Sequence, residues 1–308
     1  MVMERCSSID YIKGCLIFTV IVGHVLLGSL DANLFRYVIY SFHMPAFIFM
    51  SGYLLNIEKI RLLRIDQLFG KYWRRMLFPW VVAWVVYTAI DVYGKLSLDA
   101  VLNNIINPFY HLWYVPSLFM MIAIIWMAFR HCKSDKANAL LLLLVVGILL
   151  FNLSNTSYSI GSAWNCRMLP FFVLGIASKG LLTNISKWGG VISMLIFFAV
   201  VISVKLLMGG TALFFRTYIM LPLAAFLCSF GLIPMIHITS LHNKVLEYWG
   251  RQSLHIYLWH VLPILALKQV FRGNEIAYYF ASFTLIALFA LISYMICRKV
   301  KMDDRSAY

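Results

Sequence analysis

The sequence predicts an all-α integral membrane protein, a bundle of about ten transmembrane helices with both termini in the cytoplasm. Hydrophobic residues make up 62% of the 308 residues and charged residues only 12%, and the mean hydropathy is +0.84. These values lie far outside the range of soluble proteins. Apolar runs close to the roughly 20 residues that a membrane-spanning helix needs fill the chain. The polar breaks are too short for a soluble domain, so we expect one polytopic domain over residues 1–308.

Ten spans follow from these apolar runs and the breaks between them. The first is longer than the apolar core of a signal peptide and lacks an evident cleavage site after it, so we expect it to remain in the mature protein. The predicted spans are 9–30, 34–55, 76–94, 111–129, 138–154, 164–178, 188–207, 213–234, 252–271 and 276–297.

The basic residues predict the orientation, because Lys and Arg concentrate in cytoplasmic loops. With the N-terminus inside, 19 of the 26 Lys and Arg residues fall on the cytoplasmic side. The outer side then keeps Arg36, Lys95, Arg167, Lys205, Arg216, Lys268 and Arg272. The formal charge of +14 is therefore explained by topology and by contact with anionic membrane lipids, and we expect no nucleic-acid partner.

The six cysteines give no sign of a metal centre or a disulfide framework. They stand at positions 6, 15, 132, 166, 228 and 297, without a CxxC pair. Neither zinc-ligand spacing nor a disulfide pattern is present. We expect reduced cysteines, no metal and no bound cofactor.

The longest cytoplasmic connection runs from Ile57 to Arg75 and alternates apolar with basic residues near helical spacing. This pattern predicts an amphipathic helix in the membrane interface. Most of its basic residues are expected to be topological anchors in contact with lipid. Arg74 and Arg75 differ because they adjoin the third span, and paired guanidinium groups suit the binding of phosphate.

Two histidines lie inside the first two predicted spans, where ionisable groups are costly and usually functional. At the helical rise of about 1.5 Å per residue, His24 lies about 22 Å from the cytoplasmic surface. On the same basis His43 lies roughly 13 Å below the outer surface. The two imidazoles are therefore predicted to share a level in the outer half of the membrane. Lys13 precedes His24 by about 16 Å along the same helix and belongs to the inner side.

Polar and aromatic residues at the outer ends of other spans predict that the site around these histidines opens outward, opposite the cationic inner side. His111 begins the fourth span and Arg167 the sixth, and the aromatic residues Trp113, Tyr114, Tyr158 and Trp164 lie near them. These aromatic rings suit either stacking on sugar rings or an interfacial aromatic belt. A neutral imidazole in such a cavity can act as a general base, because burial disfavours its charged form. A histidine bonded to a backbone carbonyl or a neighbouring helix is the structural alternative.

At this level the chain resembles the acyltransferase-3 family of membrane acyltransferases, in particular the branch similar to fucose 4-O-acetylases. The resemblance covers nearly the whole chain. It depends on the order of weak motifs: Ile9-Asp10-Tyr11-Ile12-Lys13-Gly14 with Gly23-His24, Phe42-His43-Met44-Pro45 with Ser51-Gly52-Tyr53, Arg74-Arg75 with Pro79, His111-Leu112-Trp113-Tyr114, Pro170-Phe171-Phe172 with Gly175, and Gly250-Arg251-Gln252-Ser253-Leu254 with Tyr257 and His260.

The resemblance implies transfer of an acetyl group from cytoplasmic acetyl-CoA to a hydroxyl of a cell-envelope saccharide, either free or lipid-linked. It implies a multi-pass enzyme of the bacterial cytoplasmic membrane. His24 becomes the catalytic residue, which either deprotonates the hydroxyl or carries the acyl group transiently. The donor-binding residues are Lys13, Lys71, Arg74 and Arg75, although the basic motif matches that of the family only approximately. The acceptor-binding or supporting residues are His43, Ser51, His111, Trp113, Arg167 and His260.

A transporter or flippase of a lipid-linked saccharide is the competing interpretation. Ten spans with polar groups at mid-depth suit that function as well, and a cationic inner side could bind a pyrophosphate. A scaffold within a glycan-assembly complex is a third possibility, but it gives no reason for histidines inside the spans.

Overall fold

The computed structural model describes residues 7–30, 32–91, 97–109, 111–131, 136–156, 166–181, 186–208, 223–237 and 242–306. Within these ranges every regular element is a helix, so the predicted all-α class is confirmed. The α-helices are α1 (Ser7–Val25), α2 (Leu34–Leu54), α3 (Ile57–Ile60), α4 (Ile65–Tyr72), α5 (Phe78–Asp91), α6 (Leu98–Ile106), α7 (Tyr114–His131), α8 (Lys136–Thr156), α9 (Leu169–Leu181), α10 (Lys187–Met208), α11 (Ile233–His237), α12 (Lys244–Arg251), α13 (Ser253–Trp259), α14 (Val261–Val270) and α15 (Glu275–Ser306). Two π-helical turns, Trp73–Leu77 and Leu227–Leu232, precede α5 and α11.

A helix occurs in each predicted span, but only some helices suffice to cross a membrane by length and composition. In the described ranges these are Ser7–Val25, Trp188–Leu207 and Glu275–Arg298. Shorter apolar helical stretches are Tyr114–Arg130, Lys136–Phe151, Leu169–Lys179 and Leu223–Ile236. The eighth predicted span, 213–234, lies partly outside the described residues. Tyr158 and Trp164 lie outside them altogether. The number of ten spans stays a prediction.

The apolar surface of the long helices fits a lipid environment. Ile276 and Phe280 of α15 are 84% and 76% exposed, and Leu207 of α10 is 82% exposed. Large apolar side chains outside the core on this scale would form an aggregation-prone patch in water. In a bilayer, by contrast, helices satisfy their own backbone and can turn apolar side chains outward.

The chain groups into two compact units, residues 1–47 with 182–308 and residues 48–181. The prediction of a single domain over 1–308 stays a prediction. In the first unit, α1 and α12 cross with their backbones in contact. A Cβ at Gly14 would overlap the backbone oxygen of Leu246, and a Cβ at Gly250 would overlap that of Asp10. Small residues permit such close crossings of membrane helices.

The connection from Ile57 to Arg75 differs from the single amphipathic helix that we predict. Helix α3 ends at Ile60, and α4 begins at Ile65 after a turn. The turn is held from α7, where Trp126 Nε1 donates to the Leu63 carbonyl oxygen over 2.9 Å. The Arg130 guanidinium donates to the same oxygen. Helix α4 still exposes Ile65 by 70% and Phe69 by 48%, as expected for an interfacial helix.

The predicted span 252–271 is likewise divided, into α13 and α14. Pro263 lies in the first turn of α14. Proline has no N–H to donate to the carbonyl of the residue four positions earlier, which here is Trp259, and its ring crowds that carbonyl. The break therefore falls at His260, between the two helices.

Candidate active site

His24 is the penultimate residue of α1, and side chains from the end of the chain hold this helix terminus. Lys268 Nζ donates to the His24 carbonyl oxygen over 3.3 Å, and Tyr278 Oη donates to the Val25 carbonyl oxygen over 2.9 Å. The last carbonyls of a helix lack intrahelical partners, and a lysine there also favours the negative end of the helix dipole. The chain then turns at Gly28, whose φ of 86° suits glycine. These contacts fix where the His24 backbone lies.

Three histidines of the first unit meet around one tyrosine. The ring centroids of His24 and His260 are 5.0 Å apart at an interplanar angle of 65°. The Tyr40 ring lies 6.0 Å from His24 and 4.9 Å from His43. We call His24, Tyr40, His43 and His260 the histidine cluster. His24 and His43 thus both contact Tyr40, and their common level in the outer half of the membrane stays a prediction.

The cluster combines two buried imidazoles with one that is half-buried. His43 and His260 are 4% and 7% exposed, whereas His24 is intermediate. His24 is therefore the most accessible of the three imidazoles to a substrate.

Backbone carbonyls fix the protonation of the two buried rings. His43 Nδ1 lies 2.7 Å from the Ile39 carbonyl oxygen, and His260 Nδ1 lies 2.8 Å from that of Tyr257. A carbonyl oxygen only accepts hydrogen bonds, so Nδ1 carries the hydrogen in both rings. In the neutral form of each ring, Nε2 is then the basic nitrogen.

Lys13 lies on the same helix as His24, and the whole of α1 is continuous between them. Ten intervening residues separate the two by about 16 Å of helix. Lys13 therefore lies in a different part of the first unit from the histidine cluster, and its role in donor binding stays a prediction.

In the second unit, Ser51 and Trp113 both contact Tyr114, and Arg167 lies against Trp113. Ser51 Oγ lies 3.2 Å from Tyr114 Oη, and the rings of Trp113 and Tyr114 are 6.4 Å apart. The Arg167 guanidinium carbon lies 5.4 Å from the Trp113 ring centroid, a cation–π distance. Arg167 follows Cys166, which has a positive φ of 46°, a rare backbone conformation that often marks a constrained site.

His111 is buried beside Tyr87, at a ring-centroid distance of 5.2 Å, and is 4% exposed. Trp80 Nε1 donates to the carbonyl oxygen of the next residue, Leu112, over 2.8 Å. These contacts fix the start of α7 and are those of a packed side chain. A supporting role for His111 remains a prediction.

Arg74 and Arg75 lie in the π-helical turn Trp73–Leu77, where the Phe78 N–H bonds to the Trp73 carbonyl oxygen. Such turns interrupt α-helices by one extra residue and are frequent at functional sites. Both arginines are exposed, and no carboxylate pairs with either among the described residues. Arg61 and Arg64 in the same connection do pair, with Glu58 and Asp66. Nearby, burial lowers the pKa of Lys71 below the usual lysine value, and the charges of Arg75 and Lys59 lower it further.

Sequence reasoning missed several residues of these sites. Tyr40 is the ring that joins His24 to His43, yet a tyrosine in a membrane helix is more often part of the aromatic belt. Lys268 contacts His24 across 244 positions of sequence, and no local pattern could reveal that contact. A lysine in the last turn of α14 does not indicate by itself that it binds the C-terminus of another helix.

The comparisons with known proteins agree with this picture of the chain. The profile of a family described as an acyltransferase domain, the acyltransferase-3 family, matches residues 7–295. A relative from Enterococcus faecalis named amino-acid racemase is 28% identical over 151 residues, which are 44% of this chain and only 20% of the relative. No solved structure matches the chain. Since the profile covers nearly the whole sequence, the chain belongs to the acyltransferase-3 family.

Proposed function

We propose that this protein is a membrane O-acetyltransferase that moves an acetyl group from cytoplasmic acetyl-CoA to a hydroxyl of a cell-envelope saccharide. The observation that supports it is the histidine cluster, in a chain of an acyltransferase family. A half-buried imidazole in an apolar bundle, 5.0 Å from a second imidazole, can act as the general base that activates a hydroxyl for acyl transfer.

In the proposed reaction, His24 takes the proton of the acceptor hydroxyl while the hydroxyl oxygen attacks the carbonyl carbon of the acetyl thioester. A C–O bond forms, the C–S bond breaks, and the proton passes from the imidazolium to the CoA thiolate. The products are an acetyl ester and CoA. In the alternative route, the imidazole first attacks the thioester and carries the acetyl group before the hydroxyl displaces it. Rapid quenching with labelled acetyl-CoA distinguishes the routes, since only the second leaves label on the protein.

The donor is expected to bind through its phosphates to Arg74 and Arg75, with Lys71 beside them. Both arginines are exposed and lack a carboxylate partner in the described part of the chain, which leaves their guanidinium groups available to an anion. Lys13 is proposed to serve the donor from the cytoplasmic end of α1. These roles presuppose the predicted topology, with ten spans in the bacterial cytoplasmic membrane and both termini inside.

The acceptor is expected to use the aromatic and polar residues connected through Tyr114. Trp113 with Arg167 against its face offers a flat surface for a sugar ring, and Ser51 offers a hydroxyl. His43 and His260 are proposed to support His24, and His111 to support the start of α7. The branch similar to fucose 4-O-acetylases is part of this proposal.

Mass spectrometry of envelope glycans from cells with and without the gene tests the proposal. We expect the loss of one or more acetyl groups from a glycan that is otherwise present in normal amount. Loss of the surface glycan without any change in mass would instead support the transporter or flippase. Loss of a larger acyl mass would retain an acyltransferase and refute acetyl as the donor group.

A further inference from the structure

A groove of about 440 Å³ runs through the first unit beside the histidine cluster. Its walls are mainly apolar side chains of α1, α14 and α15, such as Val25, Leu267 and Leu285, and His260 is one of its few polar residues. The lining follows α13 and α14 from Gln252 to Leu267, which corresponds to roughly 20 Å of helix. The groove is thus long, apolar and open to the imidazole that contacts His24.

Two cations lie beside residues that line one end of this groove. Val25 and Leu267 line that end, and they are the sequence neighbours of His24 and Lys268, which are in contact. Arg36 is the second cation, and its guanidinium donates to the carbonyl oxygen of Gly28, just beyond the end of α1. Its guanidinium carbon lies 5.3 Å from the Tyr40 ring centroid, so it also contacts the histidine cluster.

This pair of cations has no counter-charge among the residues that the structure describes. No carboxylate there lies within salt-bridge distance of Arg36 or Lys268, and the buried Nε of Arg36 has no hydrogen-bond partner there. Two like charges in a membrane protein repel each other strongly because the local dielectric is low. An anion that accepts hydrogen bonds from both groups would relieve this repulsion, and phosphate is an anion that both arginine and lysine bind.

We propose that this place binds a single-chain lipid phosphate or pyrophosphate, with the phosphate on Arg36 and Lys268 and the hydrocarbon chain in the groove. This inference rests on the proposed function, since it identifies the acceptor as a saccharide carried on such a lipid. Because Lys268 contacts the His24 backbone, a sugar attached to that phosphate would have its hydroxyls beside the His24 imidazole. One groove of this size accommodates one chain, which favours a polyprenyl phosphate over a diacyl phospholipid.

The test is a direct binding measurement on the purified full-length protein in phosphatidylcholine nanodiscs, with a polyprenyl phosphate as the probe and native mass spectrometry as the readout. We expect Arg36→Gln and Lys268→Gln each to weaken binding at least 10-fold, and Arg36→Lys and Lys268→Arg to restore part of it. Leu285→Trp, which fills the groove, should weaken binding to a similar extent.

Matched controls carry the same substitutions outside the proposed site. Lys244→Gln removes an exposed cation at the start of α12, and Leu288→Trp enlarges a side chain of α15 that is 50% exposed and does not line the groove. Both should bind the probe within twofold of the wild type. Equal loss in the controls, or no loss in Arg36→Gln and Lys268→Gln, would refute the site.

Three further probes separate the possible sources of the phosphate. Inorganic pyrophosphate alone and the uncharged polyprenol alone should each bind at least 10-fold more weakly than the polyprenyl phosphate. Phosphatidic acid that binds as tightly as the polyprenyl phosphate would reduce the site to general lipid contact and overturn the proposal.

Transfer assays then distinguish failure of this inference from failure of the proposed function. Acetyl transfer to a saccharide on polyprenyl phosphate that is unchanged in Arg36→Gln and Lys268→Gln would retain the function and refute the site for the lipid-linked acceptor. Tight, variant-sensitive binding of the lipid phosphate without any acetyl transfer would retain the site and refute the function.

Discussion

His24 shows what an ionisable residue in a membrane helix can and cannot reveal from sequence alone. Its position in the first apolar run predicts a functional group, because such residues are costly and rare, and helix rise places it level with His43. The structure adds that His260, more than 200 positions later in the chain, contacts the ring of His24. No spacing rule predicts that pairing, because it depends on how α13 and α14 pack against α1.

The accessibility of the three imidazoles predicts which one reacts. We expect His24→Ala to lower kcat for acetyl transfer by about 10² to 10⁴, the usual contribution of a general base. His43→Gln should cost less than His24→Ala, because His43 is 4% exposed and its Nδ1 is bonded to the Ile39 carbonyl oxygen. The measurement is kcat and KM of the purified variants, with acetyl-CoA and the glycan before acetylation as the two substrates.

The control for this comparison is Phe18→Ala, an exposed position on the same helix. This variant should retain kcat within a few-fold, because Phe18 precedes His24 by more than one turn of α1 and its side chain is exposed. A His24→Ala variant that retains wild-type kcat while His43→Gln does not would transfer the catalytic role from His24 to His43.

At the scale of single elements, the π-helical turn Trp73–Leu77 holds two arginines that differ from Arg61 and Arg64, because no carboxylate pairs with them among the described residues. Replacing Arg74 and Arg75 with Ala should raise the KM for acetyl-CoA at least 10-fold with little change in kcat, because it removes binding that is equal in ground state and transition state. Arg61→Ala is the matched control: its guanidinium is already paired with Glu58 at 2.8 Å, so its loss should leave the KM unchanged. An equal effect of all three substitutions would indicate a general charge effect of this connection.

The crossing of α1 and α12 gives a structural meaning to two glycines of the sequence motifs. Gly14→Ala and Gly250→Ala should each destabilise the protein by about 1–3 kcal/mol, because the added methyl group forces two backbones apart. Gly70→Ala is the control, since a Cβ there meets no atom within 4 Å. Alanine favours a helix over glycine by about 1 kcal/mol, so Gly70→Ala should leave the thermal midpoint in detergent unchanged or slightly raised. A fall as large in Gly70→Ala as in Gly14→Ala would refute the role of the crossing.

At the scale of the whole molecule, the sequence predicts the helical class and the approximate place of most helices, because apolar periodicity and length are local properties. It does not predict where helices break. The interruption between α3 and α4 depends on hydrogen bonds from Trp126 and Arg130 to one carbonyl. The division at His260 had a local signal in Pro263, yet the uninterrupted apolar pattern of residues 252–271 conceals it. The break at His260 determines where a candidate site residue lies, so the sequence predicts the helices better than it predicts the site.

The predicted orientation also belongs to the whole molecule and can be tested by labelling. Two exposed positions lie on opposite sides of the membrane in the ten-span topology: Glu58 in the cytoplasmic connection and Arg272 in the outer turn between α14 and α15. In a cysteine-free background, a membrane-impermeant maleimide applied to intact cells should label Arg272→Cys and spare Glu58→Cys, and permeabilised cells should label both. The reason is the distribution of Lys and Arg, which favours a cytoplasmic N-terminus.

The reverse pattern would invert the orientation, and labelling of both positions in intact cells would refute a topology in which an odd number of spans separates them. The outcome also tests the proposed donor site, because cytoplasmic acetyl-CoA can reach Arg74 and Arg75 only if their connection, which contains Glu58, lies on the cytoplasmic side.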